Sequence, residues 1–151
     1  MCKSLMSTQK ERDENEKFSD ELNKEIAGNN KDAYNYLSLM FRAWRLLDDL
    51  YDEDYPLTKE DKLLLIEILF IKIPTNKFFI KYRDTLLSQH ISTWNNWRAG
   101  DYLRNKKNPN YNLAAMLDGS PATLLPVVAL LTQGYEKMKQ INKDIFTKCV
   151  I

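Results

Sequence analysis

Glycine and proline are scarce in this chain, four and five residues of 151, which excludes collagen-like and Pro/Gly-rich disordered classes. Cysteine is scarcer still. Cys2 and Cys149 lie at opposite ends, a spacing that makes neither a zinc knuckle nor a disulfide framework and is compatible with a reducing cytoplasm. The one histidine, His90, excludes a multi-histidine zinc centre. Charge of one sign is also lacking: 22 Lys and Arg stand against 21 Asp and Glu. No electrostatic excess therefore recommends a membrane surface or a nucleic acid as partner. Long apolar runs are missing too. The most apolar stretch, Leu113 to Leu131, is interrupted by Asp118-Gly119-Ser120-Pro121 and by Pro126, and reads as two packed helices joined by a turn rather than as a membrane span. Met1 leads into a charged run without an apolar core, so no signal peptide is expected. Cys149 stands third from the end instead of fourth, the wrong place for prenylation. Phosphate-binding glycine loops, G-x-S-x-G, H-E-x-x-H and C-x-x-C pairs are all absent.

What remains is a chain with 44% hydrophobic and 11% aromatic residues, long enough to bury a core. The apolar spacing is helical throughout. The expected architecture is all-α, a bundle of five to six helices. Residues 1–30 form a charged N-terminal arm, either disordered or a thin docking helix with Phe18, Leu22 and Ile26 as its apolar positions, and residues 31–151 form a single helical domain. Gly28-Asn29-Asn30 ends the arm. Helices are expected from Lys31 to about Tyr51, from Lys59 to Ile73, and from Lys77 to Arg104, with a short one at Leu113–Leu117. A last helix runs from Ser120-Pro121 to about Phe146 and is bent by Pro126. The Lys59–Ile73 helix is apolar nearly all round and is expected to be central, buried on several sides, with Pro74 stopping it.

The most informative stretch is the end of the Lys31–Tyr51 helix, where Asp48, Asp49, Asp52, Glu53 and Asp54 close an apolar segment. Advancing about 100° per residue, the apolar stripe Tyr34, Leu37, Met40, Phe41, Trp44, Leu47, Tyr51 takes in Asp48. Asp52 lies at its edge, and Asp49 points to solvent. A carboxylate on a core-facing stripe must be paired, hydrogen-bonded, metal-bound or protonated. Arg45 lies within helical reach of Asp48 and Asp49, and a structural ion pair is the plain explanation. The chemical one is that Asp48 and Asp52, on one face, hold Mg²⁺ through oxygen ligands.

On the long helix from Lys77, the stripe Phe79, Tyr82, Leu86, His90, Trp94, Trp97 has His90 at its middle and Asp101 one turn beyond. A lone histidine on an apolar face is commonly a satisfied core residue. Packed beside the acidic helix, His90 would meet Asp48, and with Asp101 nearby the set becomes a candidate acid–base constellation. Trp94 and Trp97 read as core anchors. Arg98, Arg104, Lys106 and Lys107, with Tyr102 and Tyr111, make a basic loop. Basic loops are mostly solvated, and without a recognised motif nucleic acid is an unlikely partner.

The Asp48-Asp49-x-x-Asp52 pattern resembles the first aspartate-rich motif of class I isoprenoid synthases, which binds Mg²⁺ and a substrate diphosphate. The likeness spans five residues, and no later helix supplies the second metal motif of those enzymes. More of the chain, roughly residues 44 to 100, is similar to small helical proteins of tailed bacteriophages. The similarity rests on Asp48-Asp49-Leu50-Tyr51-Asp52-Glu53-Asp54, Pro74-Thr75-Asn76-Lys77-Phe78 and Trp94. It implies a helical phage protein, placed in the host cytoplasm or the virion, with no activity attached. The leading expectation is therefore a non-enzymatic protein that acts by contact with another protein or by self-assembly, without membrane and without cofactor. A Mg²⁺-dependent enzyme using Asp48, Asp52, His90 and Asp101 on a phosphorylated substrate is the alternative.

Overall fold

A computed structural model describes residues 9–53, 55–104 and 107–149, the side chains of Phe146, Lys148 and Cys149 excepted. The sequence features at Cys2, Asp54 and Lys106, the Cys149 side chain and the terminal tetrapeptide pattern lie outside the described residues. The architecture is all-α, with no strand among the described residues. Its helical segments outnumber the five or six expected, because several expected helices are divided. By internal packing the chain separates at Tyr82–Arg83 into an N-terminal and a C-terminal unit.

In the N-terminal unit, α1 (Gln9–Ala27) and α2 (Lys31–Asp52) form an antiparallel hairpin. Asn30 starts α2, its side chain accepting from the Ala33 N–H at 2.9 Å. The charged segment is thus a helix that docks by its last turns, where Asn23, Ile26 and Ala27 are buried. Farther along, Asp20 accepts from the Tyr34 hydroxyl and pairs with Lys24 at 2.6 Å. α3 (Lys59–Glu67) opens on a capping box: Thr58 Oγ1 accepts from the Asp61 N–H, and the Asp61 carboxylate accepts from the Thr58 N–H. The Thr58 hydroxyl, donating to the same carboxylate at 2.8 Å, and then the Thr58 N–H hold the Asp61 carboxyl below the usual carboxylate range.

Pro74 does not stop this helix. A π-helical turn, Ile68–Lys72, carries it into the short α4 (Ile73–Thr75). Proline has no N–H to give and its ring crowds the carbonyl one turn back. Widening that turn, so that the Ile73 N–H donates to the Ile68 carbonyl, is one way to accommodate it. Asn76 then caps α5 (Lys77–Lys81), accepting from the Phe79 N–H and donating to the Asp32 carbonyl, each at 3.0 Å. The second bond ties α5 to α2. The core between them is Tyr36, Leu37, Met40, Ala43 and Leu46 against Leu65, Ile68, Ile73, Phe78 and Phe79. The Tyr36 ring lies 5.8 Å from Phe78 and 6.0 Å from Phe79.

The expected long helix from Lys77 is interrupted at Tyr82, whose backbone leaves the helical region (φ −114°, ψ 26°). The C-terminal unit begins with α6 (Arg83–Leu103), which buries Leu86, Thr93, Trp97 and Gly100. A 3₁₀ turn leads to α7 (Ala114–Asp118), and another, Ser120–Thr123, to α8 (Leu124–Gln133) and α9 (Tyr135–Cys149). Gln89 donates to Thr123 at 2.6 Å and Ser120 to the Thr93 carbonyl at 3.3 Å, binding α6 to this corner. Pro126 does not bend the last helix. It falls in the first turn of α8, where no N–H is required, and the break comes at Gly134, whose φ of 93° and ψ of −176° suit glycine almost alone. No single helix among the described residues is long and apolar enough to cross a membrane. Tyr111–Asp118 with Ser120–Gln133 meets that measure only as a pair bent by 45°.

Candidate functional site

The acidic end of α2 does contain a buried carboxylate, but it is Asp49. Arg12 of α1 grips it with both arms of the guanidinium, at 2.6 Å and 3.2 Å. The two side chains are only 15% and 9% exposed. Asp48 and Asp52 are half-buried instead. The actual inward line of α2 is Ala33, Tyr36, Leu37, Met40, Ala43, Leu46, Asp49, rotated from the stripe drawn through its larger aromatics. Arg45 is half-buried beside this pair, and its pKa is lowered by desolvation and then by the Arg12 charge. The Tyr55 ring stacks on the Arg12 guanidinium, 4.1 Å from ring centre to Cζ. With Arg42, which faces Asp61 at 3.7 Å, these residues line an open cleft of about 370 Å³. Its cations and carboxylates are nearly balanced, so it is an ion-pair network that fastens α1 and the 55–58 loop to α2.

The residues proposed for chemistry are divided between the units. Asp48 and Asp52 belong to the N-terminal unit, His90 and Asp101 to the C-terminal one. No group of three or more His, Cys, Asp or Glu side chains is arranged to hold a metal ion among the described residues. His90 is half-buried, and desolvation lowers its pKa. Asp101 is engaged by Arg104, which also holds Asp118 of α7, and Arg98 lies 3.9 Å away. That cluster fastens α6 to α7 and engages one cation of the basic loop, Arg104, with two aspartates. Of the two tryptophans on α6, Trp97 is buried but Trp94 is exposed.

A different feature stands out on the N-terminal unit. α3 and the π turn were expected to be covered on several sides, yet only one side is. Leu65, Ile68 and Ile73 face the core, while Leu63, Ile66, Leu69, Phe70, Ile71 and, on α5, Ile80 are exposed. Phe70 is the extreme, 77% exposed. Leu63, Ile66 and Phe70 fall at helical spacing along one side. The all-round apolarity of Leu63–Ile71 was the sequence signal for this face. A helix with too much apolar surface for one partner either sits at a core's centre or keeps one side for something else.

Comparison with known proteins finds no protein family, no curated protein and no solved structure that matches this chain.

Proposed function

We propose that this chain is a non-enzymatic binding protein that works by protein–protein contact, using the outward side of α3, the π turn and α5. One observation carries this reading: five large apolar side chains of α3 and the π turn, Phe70 foremost, and Ile80 of α5 stand exposed while Leu65, Ile68, Phe78 and Phe79 of the same segments are buried. Isolated exposed apolar residues are ordinary, whereas a contiguous group marks a contact surface. The setting this reading takes from the phage-protein resemblance is the host cytoplasm or a virion. No cofactor is required for it.

The experiment is photo-crosslinking in cells that express the chain, from a benzophenone side chain at position 70, with position 14 on α1 as the control. The expected result is a discrete protein adduct from position 70 that disappears with Ile66→Asp. Equal adducts from both positions, or none from position 70, would overturn the reading.

A further inference from the structure

Resting on the reading just given, we infer that the partner at this face is an acidic amphipathic helix. The argument is the charge around the apolar side chains. Lys59 and Lys62 stand one turn before Leu63 and Ile66, and Lys77 and Lys81 flank Ile80. All four lysines are exposed. None has a carboxylate within ion-pair distance among the described residues; Lys81 only lies near the Tyr82 ring, 5.1 Å from its centre. The acids of the same segment are otherwise engaged. Asp61 is bound into the Thr58 cap and faces Arg42, and Glu67 pairs with Lys72 at 3.5 Å. Glu60 alone remains.

The exposed apolar side chains of α3, the π turn and α5 are therefore accompanied by uncompensated lysines on α3 and on α5, in a chain whose total charge is close to zero. Their complement is a helix with apolar residues at i, i+3, i+4 and i+7 and carboxylates beside them. An anionic membrane would satisfy the lysines as well, but Glu67 lies at helical spacing between Leu63 and Phe70 on the same side. A carboxylate there is repelled by anionic headgroups, while a protein partner can match the Glu67–Lys72 pair with polar groups of its own.

The test uses the full chain and three fluorescein-labelled model peptides, read by anisotropy. One is an amphipathic helix flanked by glutamates, the second has lysines in their place, and the third keeps the glutamates but scrambles the apolar order. The glutamate peptide is expected to bind at least about tenfold tighter than either of the others, and to lose affinity as salt rises past about 0.15 M. Phe70→Asp removes the binding. The quadruple variant Lys59→Glu, Lys62→Glu, Lys77→Glu, Lys81→Glu reverses the preference toward the lysine peptide, with helicity by circular dichroism unchanged in both proteins. Equal binding of the glutamate and lysine peptides overturns the acidic partner and leaves the protein-contact reading standing. Binding to phosphatidylglycerol vesicles with no peptide bound overturns both. A salt-insensitive dimer that Phe70→Asp dissociates makes the occupant a second copy and overturns the acidic helix.

Discussion

Arg12 and Asp49, separated by 37 positions in sequence, form a two-pronged ion pair that locks the start of α1 to the end of α2. Its partial burial makes it sensitive to loss of one member. Asp49→Ala leaves the largely buried Arg12 guanidinium without its two-pronged partner, and should destabilise the N-terminal unit by about 3 kcal/mol. Asp48→Ala, at the half-buried neighbouring position, should lose about 1 kcal/mol or less. Urea denaturation followed by circular dichroism separates the two. Equal losses would mean that the buried carboxylate has been misidentified. The double variant Arg12→Met/Asp49→Leu should regain most of the stability, since the pair's desolvation disappears with it.

How far the sequence disclosed this arrangement can be followed along α2. Helical periodicity identified the helix and the presence of a carboxylate on its inner side. A stripe drawn through the large aromatics has the wrong phase, because Ala33 and Ala43 mark the buried side. Small residues are where another helix comes closest, and a stripe weighted by side-chain size overlooks them. Trp94 repeats the lesson on α6: it is exposed while Thr93 beside it is buried. Chain breaks were legible where local chemistry sets them, as at Thr58 and Asn76, whose side chains cap helices. Tyr82 carries no breaking signal of its own, and the break there was not legible. Gly134 did carry a signal, but Pro126 drew the attention although a first-turn proline is harmless. Arg12 could not have been paired with Asp49 by inspection, since a contact across a hairpin depends on the helix phase.

Asp48 and Asp52 remain the test of the metal-dependent alternative. Among the described residues no group of three or more His, Cys, Asp or Glu side chains is arranged to hold a metal ion, and the non-enzymatic reading requires none. Millimolar Mg²⁺ or Mn²⁺ should leave the melting temperature of the wild-type chain unchanged, and that of Asp48→Ala equally so. Specific binding to the native chain would raise melting with the logarithm of metal concentration. A rise seen in the wild type and missing in Asp48→Ala would reinstate the enzyme reading.

His90 gives the chain a pH dependence of known sign. Burial lowers its pKa from the ordinary 6.5, so the unfolded chain takes up the proton more readily than the folded one. Stability supplied by the neutral imidazole is present above about pH 6.5 and is lost as pH falls below it toward the folded value. Thermal melts across that range should show the wild type losing more than His90→Gln. As the chain has a single histidine, its imidazole proton resonances are unambiguous by NMR. Their midpoint should fall below 6.5, and a midpoint at or above it would contradict the desolvation.

Gly100 supports the prediction with the tightest geometry. It is buried on α6 where α7 crosses it. A Cβ at this position would stand 2.9 Å from Asp118 Oδ1 and 3.4 Å from the Ala114 carbonyl oxygen. Asp118 is not free to swing aside, because Arg104 holds it together with Asp101. In a solvent-exposed helix, glycine to alanine would stabilise by up to about 1 kcal/mol. Here the methyl group must displace either the carboxylate or α7 itself, and overpacking of that kind costs about 1–3 kcal/mol. Gly100→Ala should therefore lower the melting temperature of the C-terminal unit, against the sense of helix propensity. Asp118→Ala removes the closest obstacle together with one of the ion pairs. In that background Gly100→Ala should cost clearly less than it does alone. A double-mutant cycle on thermal melts measures the difference, and strict additivity would show that the carboxylate is not what the methyl group meets.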